Sequence, residues 1–251
     1  MDEPASDTER ETAALDGRVR LLQPARGYRA GLDAALLAAA CDAGPGERVL
    51  DVGCGVGAAL LAAAVRRPEA AFCGLERDAG AAALARRNAA LNALESRVDI
   101  LDGDVERPFR ALGPPRFDLV LSNPPFFDDP AALRAPDPAR RGAWISDPGL
   151  ARWCAFMLEA AKDGGRLLLI HRADRLPDLL AALAVKAGSV QARPVHAFRD
   201  RPAKRVLVRA VRGGRAPFRL LPPLVLHDEE GGKHSAATED LLRGRAALGW
   251  T

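Results

Sequence analysis

The sequence lacks long apolar runs, clustered cysteines and a basic, apolar start, and each absence argues against a class of protein. No window approaches the roughly 18 uninterrupted apolar residues of a membrane-spanning helix, so we expect no membrane segment. Residues 1–17 are acidic, the reverse of a secretory signal, and no apolar segment follows them. The four cysteines form no C-x-x-C pair, which argues against a disulfide framework or a zinc cluster. We therefore expect a cytoplasmic protein.

Composition indicates one globular domain behind a short tail. Hydrophobic residues make up 48% of the chain and charged residues 27%, which is ordinary for a folded protein. The acidic segment 1–17 is expected to be disordered. Residues 18–251 show no linker-like break and no internal repeat, so we expect them to form a single domain.

From residue 48 onward, short apolar runs alternate with amphipathic stretches, which is typical of an α/β fold with a parallel sheet covered by helices on both faces. The last two runs are joined directly, so they must pair antiparallel. We expect a mostly parallel seven-stranded sheet with an antiparallel last strand. A short strand at 18–23 and a helix capped by Asp33 precede it. The predicted strands of the sheet are 48–53, 70–76, 97–101, 117–122, 165–172, 190–198 and 204–212, with helices at 58–67, 79–91, 148–161 and 175–187.

Three glycines follow the first strand of this sheet at alternate positions, in the run VLDVGCGVG (49–57). Glycine permits tight backbone conformations there and lets main-chain N–H groups approach a ligand closely. With Ala58, the run also satisfies the dinucleotide pattern G-x-G-x-x-A, which is weak by itself.

An acid at a strand end followed by G-x-G-x-G, from Asp51 to Gly57, resembles motif I of class I S-adenosylmethionine-dependent methyltransferases. The resemblance implies a Rossmann-like fold, S-adenosylmethionine as cofactor, S-adenosylhomocysteine as product, and no metal. Glu76 would accept hydrogen bonds from both ribose hydroxyls. It could do the same for NAD, so it does not distinguish the two cofactors. Asp104 would bind the adenine amino group and the Val105 N–H the ring, with Asp102 as a competing candidate. The implied cofactor-binding residues are Asp51, Gly53, Cys54, Gly55, Gly57, Glu76, Arg77, Asp104, Val105 and Asn123.

The fourth strand of the predicted sheet ends in LSNPPFF (121–127). Two prolines stop the strand and stiffen the backbone, which holds Asn123 and Phe126 at the edge where open α/β sheets bind ligands. The Asn123 side-chain oxygen and the Pro124 carbonyl could accept both N–H groups of a planar amine, while Phe126 stacks on it. Together with motif I, this run resembles methyltransferases of adenine N6, guanine N2 or glutamine amide nitrogen. The predicted catalytic residues are Asn123, Pro124, Pro125 and Phe126.

Two flanking regions resemble the bacterial tRNA1(Val) adenine-N6 methyltransferase family, which modifies the adenosine 3′ of the anticodon. The segment 22–38 resembles the one before motif I, and AKRVLV (203–208), LPPLV (221–225) and GGKHS (231–235) resemble the closing strands and tail. The resemblance implies N6-methylation of an adenosine in tRNA. Phe126 stands where the family more often has Tyr, and the loop 128–146 does not align. The oligomeric state is left open, with a monomer favoured.

Residues 193–219 carry nine Arg or Lys and one acid, which is either an electrostatic footprint for a polyanion or a solvated basic face. The family resemblance favours RNA contact. Alternate strand residues lie on the same face, so Arg205, Arg209 and Arg201 could share one face. The four histidines lack ligand spacing, and core or surface roles are expected for them. The predicted RNA-binding residues are Arg199, Arg201, Lys204, Arg205 and Arg209.

Four alternative functions remain beside N6-methylation of adenosine in tRNA. A guanine-N2 rRNA methyltransferase would use N-P-P-F equally well. A release-factor glutamine methyltransferase carries a helical domain before motif I, for which only about 50 residues are available here. An RNA-binding module that keeps the fold without catalysis is disfavoured by intact motif residues. An NAD-dependent dehydrogenase has no use for N-P-P-F.

Overall fold

The computed structural model describes residues 9–25, 31–125, 149–228 and 234–251. Within these ranges, nine strands form one mixed sheet and two more form a separate hairpin. The strands are β1 (Glu9–Ala14), β2 (Val19–Pro24), β3 (Arg48–Val52), β4 (Ala71–Glu76), β5 (Val98–Asp102), β6 (Phe117–Ser122), β7 (Ala161–Arg172), β8 (Ala187–His196), β9 (Arg205–Arg212), β10 (Arg219–Leu220) and β11 (Leu224–Val225). The helices are α1 (Leu32–Ala40), α2 (Ala58–Arg66), α3 (Ala79–Leu91), α4 (Leu150–Ala160), α5 (Leu176–Leu183) and α6 (Ala236–Leu242).

The sheet has the strand order β10-β8-β9-β7-β6-β3-β4-β5, and β11 also pairs with β8. The neighbours from β7 to β5 are all parallel, whereas β9 runs antiparallel to both β7 and β8. The predicted parallel sheet and antiparallel closing strand are confirmed for the seven strands β3 to β9. The two-residue strands β10 and β11 add to its edge and were not predicted.

Side chains of the central strands alternate between two apolar cores, as expected for a sheet buried on both faces. Leu119 and Leu121 of β6 pack into the core formed with α1, α2 and the end of α3. Val120 packs into the opposite core with α4 and α5. The glycine run, Glu76 and Asn123 lie at or directly after the carboxyl ends of β3, β4 and β6.

The predicted disordered tail at 1–17 is wrong for residues 9–17, and residues 1–8 lie outside the described ranges. β1 pairs with β2 over its whole length and is followed by a turn in which Leu15 is buried. Its acids have cationic partners: Glu11 binds Arg20 at 2.7 Å and Glu9 binds Arg87 at 2.8 Å. An acidic composition therefore suits this strand because basic residues face it.

The predicted cap of the first helix is also wrong. α1 begins one residue before Asp33, Gly31 occupies the N-cap position, and no side chain caps the helix. The Asp33 carboxylate instead accepts a hydrogen bond from Arg205 of β9 at 2.9 Å. A partner 172 residues away has replaced the local role that the sequence pattern indicated.

Candidate active site

The glycine run forms a loop that turns from the end of β3 into α2 beside β4. The N–H groups of Gly53 and Cys54 both donate to the Leu75 carbonyl, at 2.8 and 3.1 Å, and the Gly57 N–H donates to the Cys54 carbonyl at 2.9 Å. The three glycines have φ angles of +73° at Gly53, +56° at Gly55 and +88° at Gly57. Residues with a Cβ are strained in this region, so the conformation itself accounts for the glycines.

The space around the loop differs between its first two glycines. A Cβ at Gly53 would lie 2.8 Å from Cζ2 of Trp153 on α4, which leaves no room for a side chain. A Cβ at Gly55 would have no described atom within 4 Å. The loop is thus packed against α4 at Gly53 and open at Gly55, as a backbone that receives a ligand must be.

Asp51, two residues before the loop, is a buried acid with unused acceptor capacity. It is 2% exposed, and its Oδ2 atom has no hydrogen-bond partner among the described residues. Burial, followed by the nearby Glu76 carboxylate, raises the pKa of Asp51 to about 8, against a hydrogen bond from the Leu60 backbone that favours the charged form. Such a carboxyl group favours a ligand that brings a hydrogen-bond donor and positive charge.

Glu76 holds the loop from the end of β4. One carboxylate oxygen accepts from the Gly55 N–H at 2.8 Å, and the other accepts from the N–H groups of Arg77 and Asp78, each at 2.9 Å. A carboxylate has about four acceptor directions, so these three bonds leave one for a further donor. Glu76 therefore fixes the loop conformation and also offers an acceptor beside it.

The two acids at the end of β5 have different partners. Asp102 binds Arg86 of α3 at 2.6 Å, and its side chain is 65% exposed. Asp104 lies 3.9 Å from Arg77, immediately after β4, and Val105 beside it is buried. Asp102 is opposite Glu76 in the sheet register, but Arg86 holds its carboxylate, which favours Asp104 as the acid that binds the adenine amino group.

The loop residue Cys54 was predicted to contact the cofactor, and the structure buries its side chain. Its thiol has a pKa well above the usual range, first because of burial and then because of the Asp51 and Glu76 charges. Gly74 of β4 makes room for it, since a Cβ there would lie 2.6 Å from Sγ. Only the backbone of Cys54 is therefore available to a ligand.

β6 brings Asn123 to the same edge as the glycine loop. The register of β3 and β6 pairs Asp51 with Leu121. Each strand ends one residue beyond this pair, so Gly53 and Asn123 are the first residues after the ends of neighbouring strands. Pro124 is buried and Pro125 partly exposed after them. Phe126, the predicted stacking residue, lies outside the described residues.

A buried hydrogen-bonded chain that the sequence analysis missed links the ends of β3 and β6. Nε1 of Trp153 donates to Oγ of Ser122 at 2.9 Å, and this hydroxyl donates to the Val52 carbonyl at 2.7 Å. Ser122 is fully buried and Trp153 is 8% exposed. The available signal was the single serine in an otherwise apolar buried strand end, because buried hydroxyls require partners.

The basic stretch does not form the continuous face expected from strand alternation. Arg205 binds Asp33 at 2.9 Å and Arg209 binds Asp42 at 3.0 Å. Both arginines therefore form ion pairs with the α1 side of the domain. We no longer assign Arg205 and Arg209 to the predicted RNA-binding residues. Five other cations of the stretch are exposed. Arg215 and Arg219 follow β9, and Arg199, Arg201 and Lys204 lie in the segment 197–204 between β8 and β9, here called the basic connection.

The basic connection lies at the same edge of the sheet as the glycine loop. Because β9 is antiparallel to both β7 and β8, β8 runs in the same direction as β6 and β7. The segment that follows β8 therefore leaves the sheet where β6 ends. Three strand spacings separate β6 from β8, which is about 14 Å.

Two classes of site are not found in the described ranges. No group of three or more His, Cys, Asp or Glu side chains there is arranged to hold a metal ion. None of the helices within those ranges has the length and apolarity needed to cross a bilayer.

The chain is similar to known methyltransferases. Residues 29–135 match the family described as methyltransferase small domain. The chain is 36% identical over 187 residues to a tRNA1(Val) (adenine(37)-N6)-methyltransferase of Porphyromonas gingivalis, covering 71% of this chain and 72% of that relative. It is 40% identical over 157 residues to a release factor glutamine methyltransferase of Rhodospirillum rubrum, covering 61% of this chain and 43% of that relative.

The fold is also similar to solved structures. A predicted O-methyltransferase from Agrobacterium tumefaciens superposes with a TM-score of 0.73 at 29% identity, covering 86% of this chain and 98% of that one. An S-adenosylmethionine-dependent O-methyltransferase from Thermotoga maritima superposes with a TM-score of 0.53 at 20% identity, covering 76% of this chain and 69% of that one. The predicted class I methyltransferase fold is confirmed.

Proposed function

The chain belongs to the tRNA1(Val) (adenine(37)-N6)-methyltransferase family, and we propose that it methylates N6 of the adenosine 3′ of the anticodon in tRNA. The lengths of the relatives support this over glutamine methylation, since the chain covers 72% of the tRNA enzyme from P. gingivalis and 43% of the release factor enzyme. The proposed acting unit is a monomer in the cytoplasm.

The observation that carries the proposal is the pairing of two loops at one sheet edge. The glycine loop after β3 and the Asn-Pro-Pro run after β6 leave neighbouring strands level with each other. A cofactor on the first loop and an amine on the second would therefore be in contact. Bringing two reactants together in a fixed orientation is the main requirement of a direct group transfer.

The residues around the glycine loop fit S-adenosylmethionine. Asp51 Oδ2 can accept a hydrogen bond from its ammonium group, Glu76 from one ribose hydroxyl and Asp104 from the adenine amino group, while the loop backbone at Gly55 is open to it. When bound, S-adenosylmethionine supplies a methyl group on a positively charged sulfur. The buried, partly negative surroundings at Asp51 and Glu76 favour binding of a cation.

At the acceptor side, Asn123 and Pro124 orient the base. The Asn123 side-chain oxygen and the Pro124 carbonyl accept hydrogen bonds from the two N6–H groups of adenine. This arrangement turns the lone pair of N6 out of conjugation with the ring and toward the methyl group. The Trp153–Ser122–Val52 chain keeps this amide at a fixed distance from the glycine loop. The basic connection binds phosphates of the same tRNA.

The test is methyl transfer to unmodified tRNA and rRNA with product nucleosides identified by mass. We expect N6-methyladenosine in tRNA, and Asn123→Ala should lower kcat by about 100-fold or more while S-adenosylmethionine affinity stays within a few fold. Asn123→Asp keeps an acceptor oxygen and is the matched control, which should retain more activity.

Other outcomes of the same assay would change the conclusion. N2-methylguanosine in rRNA would keep the fold and overturn the substrate. Label in neither RNA, together with tight cofactor binding, would redirect the search to a protein glutamine. A near-normal rate for Asn123→Ala would remove Asn123 from the mechanism.

A further inference from the structure

The outer edge of β2 is covered by two side-chain amides instead of a strand. β1 pairs with one edge of β2. On the other edge, the Arg20 N–H donates to Asn92 Oδ1 at 2.8 Å while Asn92 Nδ2 donates to the Arg20 carbonyl at 2.7 Å. Two residues further along, the Leu22 N–H donates to Asn88 Oδ1 at 2.7 Å while Asn88 Nδ2 donates to the Leu22 carbonyl at 3.0 Å.

The spacing of the two asparagines explains why both reach β2. They are four residues apart on α3, so they lie on one face of the helix one turn apart. Their partners are two residues apart on β2, so both backbone units point to the same edge of the strand. The helix thereby fixes the hairpin of residues 9–24 through two equivalent amide contacts.

Asn88 makes one contact that Asn92 does not. Its Nδ2 group also donates to the carbonyl of Val56 at 2.9 Å, and Val56 lies between the second and third glycines of the glycine loop. The second Nδ2 bond of Asn92 goes to the Asn88 carbonyl within α3. Asn88 is fully buried, and both of its amide hydrogens and its oxygen are bonded.

We propose that Asn88 is a positioning residue for the glycine loop, which it connects by hydrogen bonds to the hairpin of residues 9–24. The loop is then held on both sides of its open glycine: Glu76 binds the Gly55 N–H and Asn88 binds the Val56 carbonyl. Without Asn88, the Val56 carbonyl loses a buried donor and the loop samples other conformations. The proposal rests on the proposed function, because it assumes that the loop binds S-adenosylmethionine.

The test compares Asn88→Ala with Asn92→Ala, since each removes a pair of hydrogen bonds to β2 and only the first releases the loop. The dissociation constant of S-adenosylhomocysteine is measured by calorimetry, and melting temperature separately. We expect Asn88→Ala to weaken binding by about tenfold, as expected for one lost buried hydrogen bond, and Asn92→Ala by less than about twofold. Both should lower the melting temperature.

Kinetics provide a second readout that a general loss of stability would not move in the same way. With tRNA as acceptor, Asn88→Ala should raise KM for S-adenosylmethionine by about tenfold while KM for tRNA stays unchanged. Equal losses of cofactor affinity in the two variants, or unchanged affinity in Asn88→Ala, would overturn the role of Asn88. Failure of the wild-type protein to bind the cofactor would overturn the proposed function and this role together.

Should Asn88→Ala fail to fold, the wild-type protein still tests the coupling. If Asn88 links the loop to the hairpin, adding S-adenosylhomocysteine should slow hydrogen exchange in residues 19–24, which belong to β2 and not to the loop. Exchange in the basic connection serves as the control, because it has no contact with Asn88. Unchanged exchange in residues 19–24 at saturating ligand would overturn the proposal.

Discussion

Replacing Asp51 by Asn tests whether the buried carboxyl group of Asp51, two residues before the glycine loop, is protonated in the folded protein. Burial is the largest cause that raises the pKa of Asp51 from 3.8 to about 8. Between these pH values the folded protein holds a proton that the unfolded chain releases. Because the folded state binds more protons, the free energy of unfolding falls as pH rises through this window.

Proton linkage gives the size of the effect. One extra bound proton lowers the free energy of unfolding by about 1.4 kcal/mol for each pH unit inside the window, and the loss is complete above the folded-state pKa. Asparagine does not titrate, so Asp51→Asn removes this slope. We expect the difference in unfolding free energy, variant minus wild type, to grow between about pH 4 and pH 8 and then to level off.

The assay is urea unfolding of both proteins at several pH values without cofactor. Asp118→Asn is the matched control, since Asp118 also lies on the central sheet but at the opposite end of β6. Burial alone would raise the pKa of Asp118, but hydrogen bonds from Lys162 and the Arg48 backbone lower it. Its difference curve should be flat over the same range. A flat curve for Asp51→Asn would show that Asp51 is already ionised in the folded protein.

The same carboxyl group should also release a proton when the cofactor binds. An ammonium group beside Oδ2 favours the charged form, so S-adenosylmethionine should release a proton from Asp51 when it binds below about pH 8. Calorimetry in two buffers of different ionisation enthalpy measures that proton. The Asp51→Asn variant should be more stable than wild type at neutral pH, should bind the cofactor more weakly and should release no proton.

Two further predictions concern the loop and the RNA surface. Gly53→Ala and Gly55→Ala both place alanine at positive φ, but only the first puts a Cβ 2.8 Å from Trp153, so thermal unfolding should show an additional loss of about 1–3 kcal/mol for Gly53→Ala; equal losses would mean that the indole moves aside. Neutralising all three cations of the basic connection should weaken tRNA binding and reduce its salt slope by about 2–3, whereas Arg205→Gln should chiefly lower stability; an unchanged slope would assign the connection to a solvated surface.

The strands, the helices and the motif residues could be predicted because their signals are local. Hydrophobic periodicity gave the helix at 79–91 and the strand at 117–122 with the bounds of α3 and β6. Positive φ angles explain the glycines, and two prolines mark the end of β6. Strand polarity then brings the loop after β3 and Asn123 to one edge, which is a general property of parallel sheets.

The rest could not be predicted because it depends on partners distant in sequence. β1 has no apolar alternation, and it forms because β2 and two arginines face it. Arg205 and Arg209 looked like a basic strand face, but carboxylates of α1 and the segment after it neutralise them. A composition count cannot distinguish an arginine that binds RNA from one that binds an aspartate 172 residues earlier.

The side chains that support the glycine loop lie outside it. A backbone made of glycine approaches a ligand closely, but it has no side chains with which to fix its own conformation. The supports therefore come from elsewhere: Glu76, Asn88 and Trp153 lie 21, 32 and about 100 residues beyond the loop residues that they contact. Each belongs to a different element, β4, α3 and α4. Glu76 was predicted as a cofactor-binding residue, but Asn88 and Trp153 were not. Cofactor affinity should consequently depend on these two residues as well, because the glycines allow several loop conformations and the neighbouring side chains select one of them.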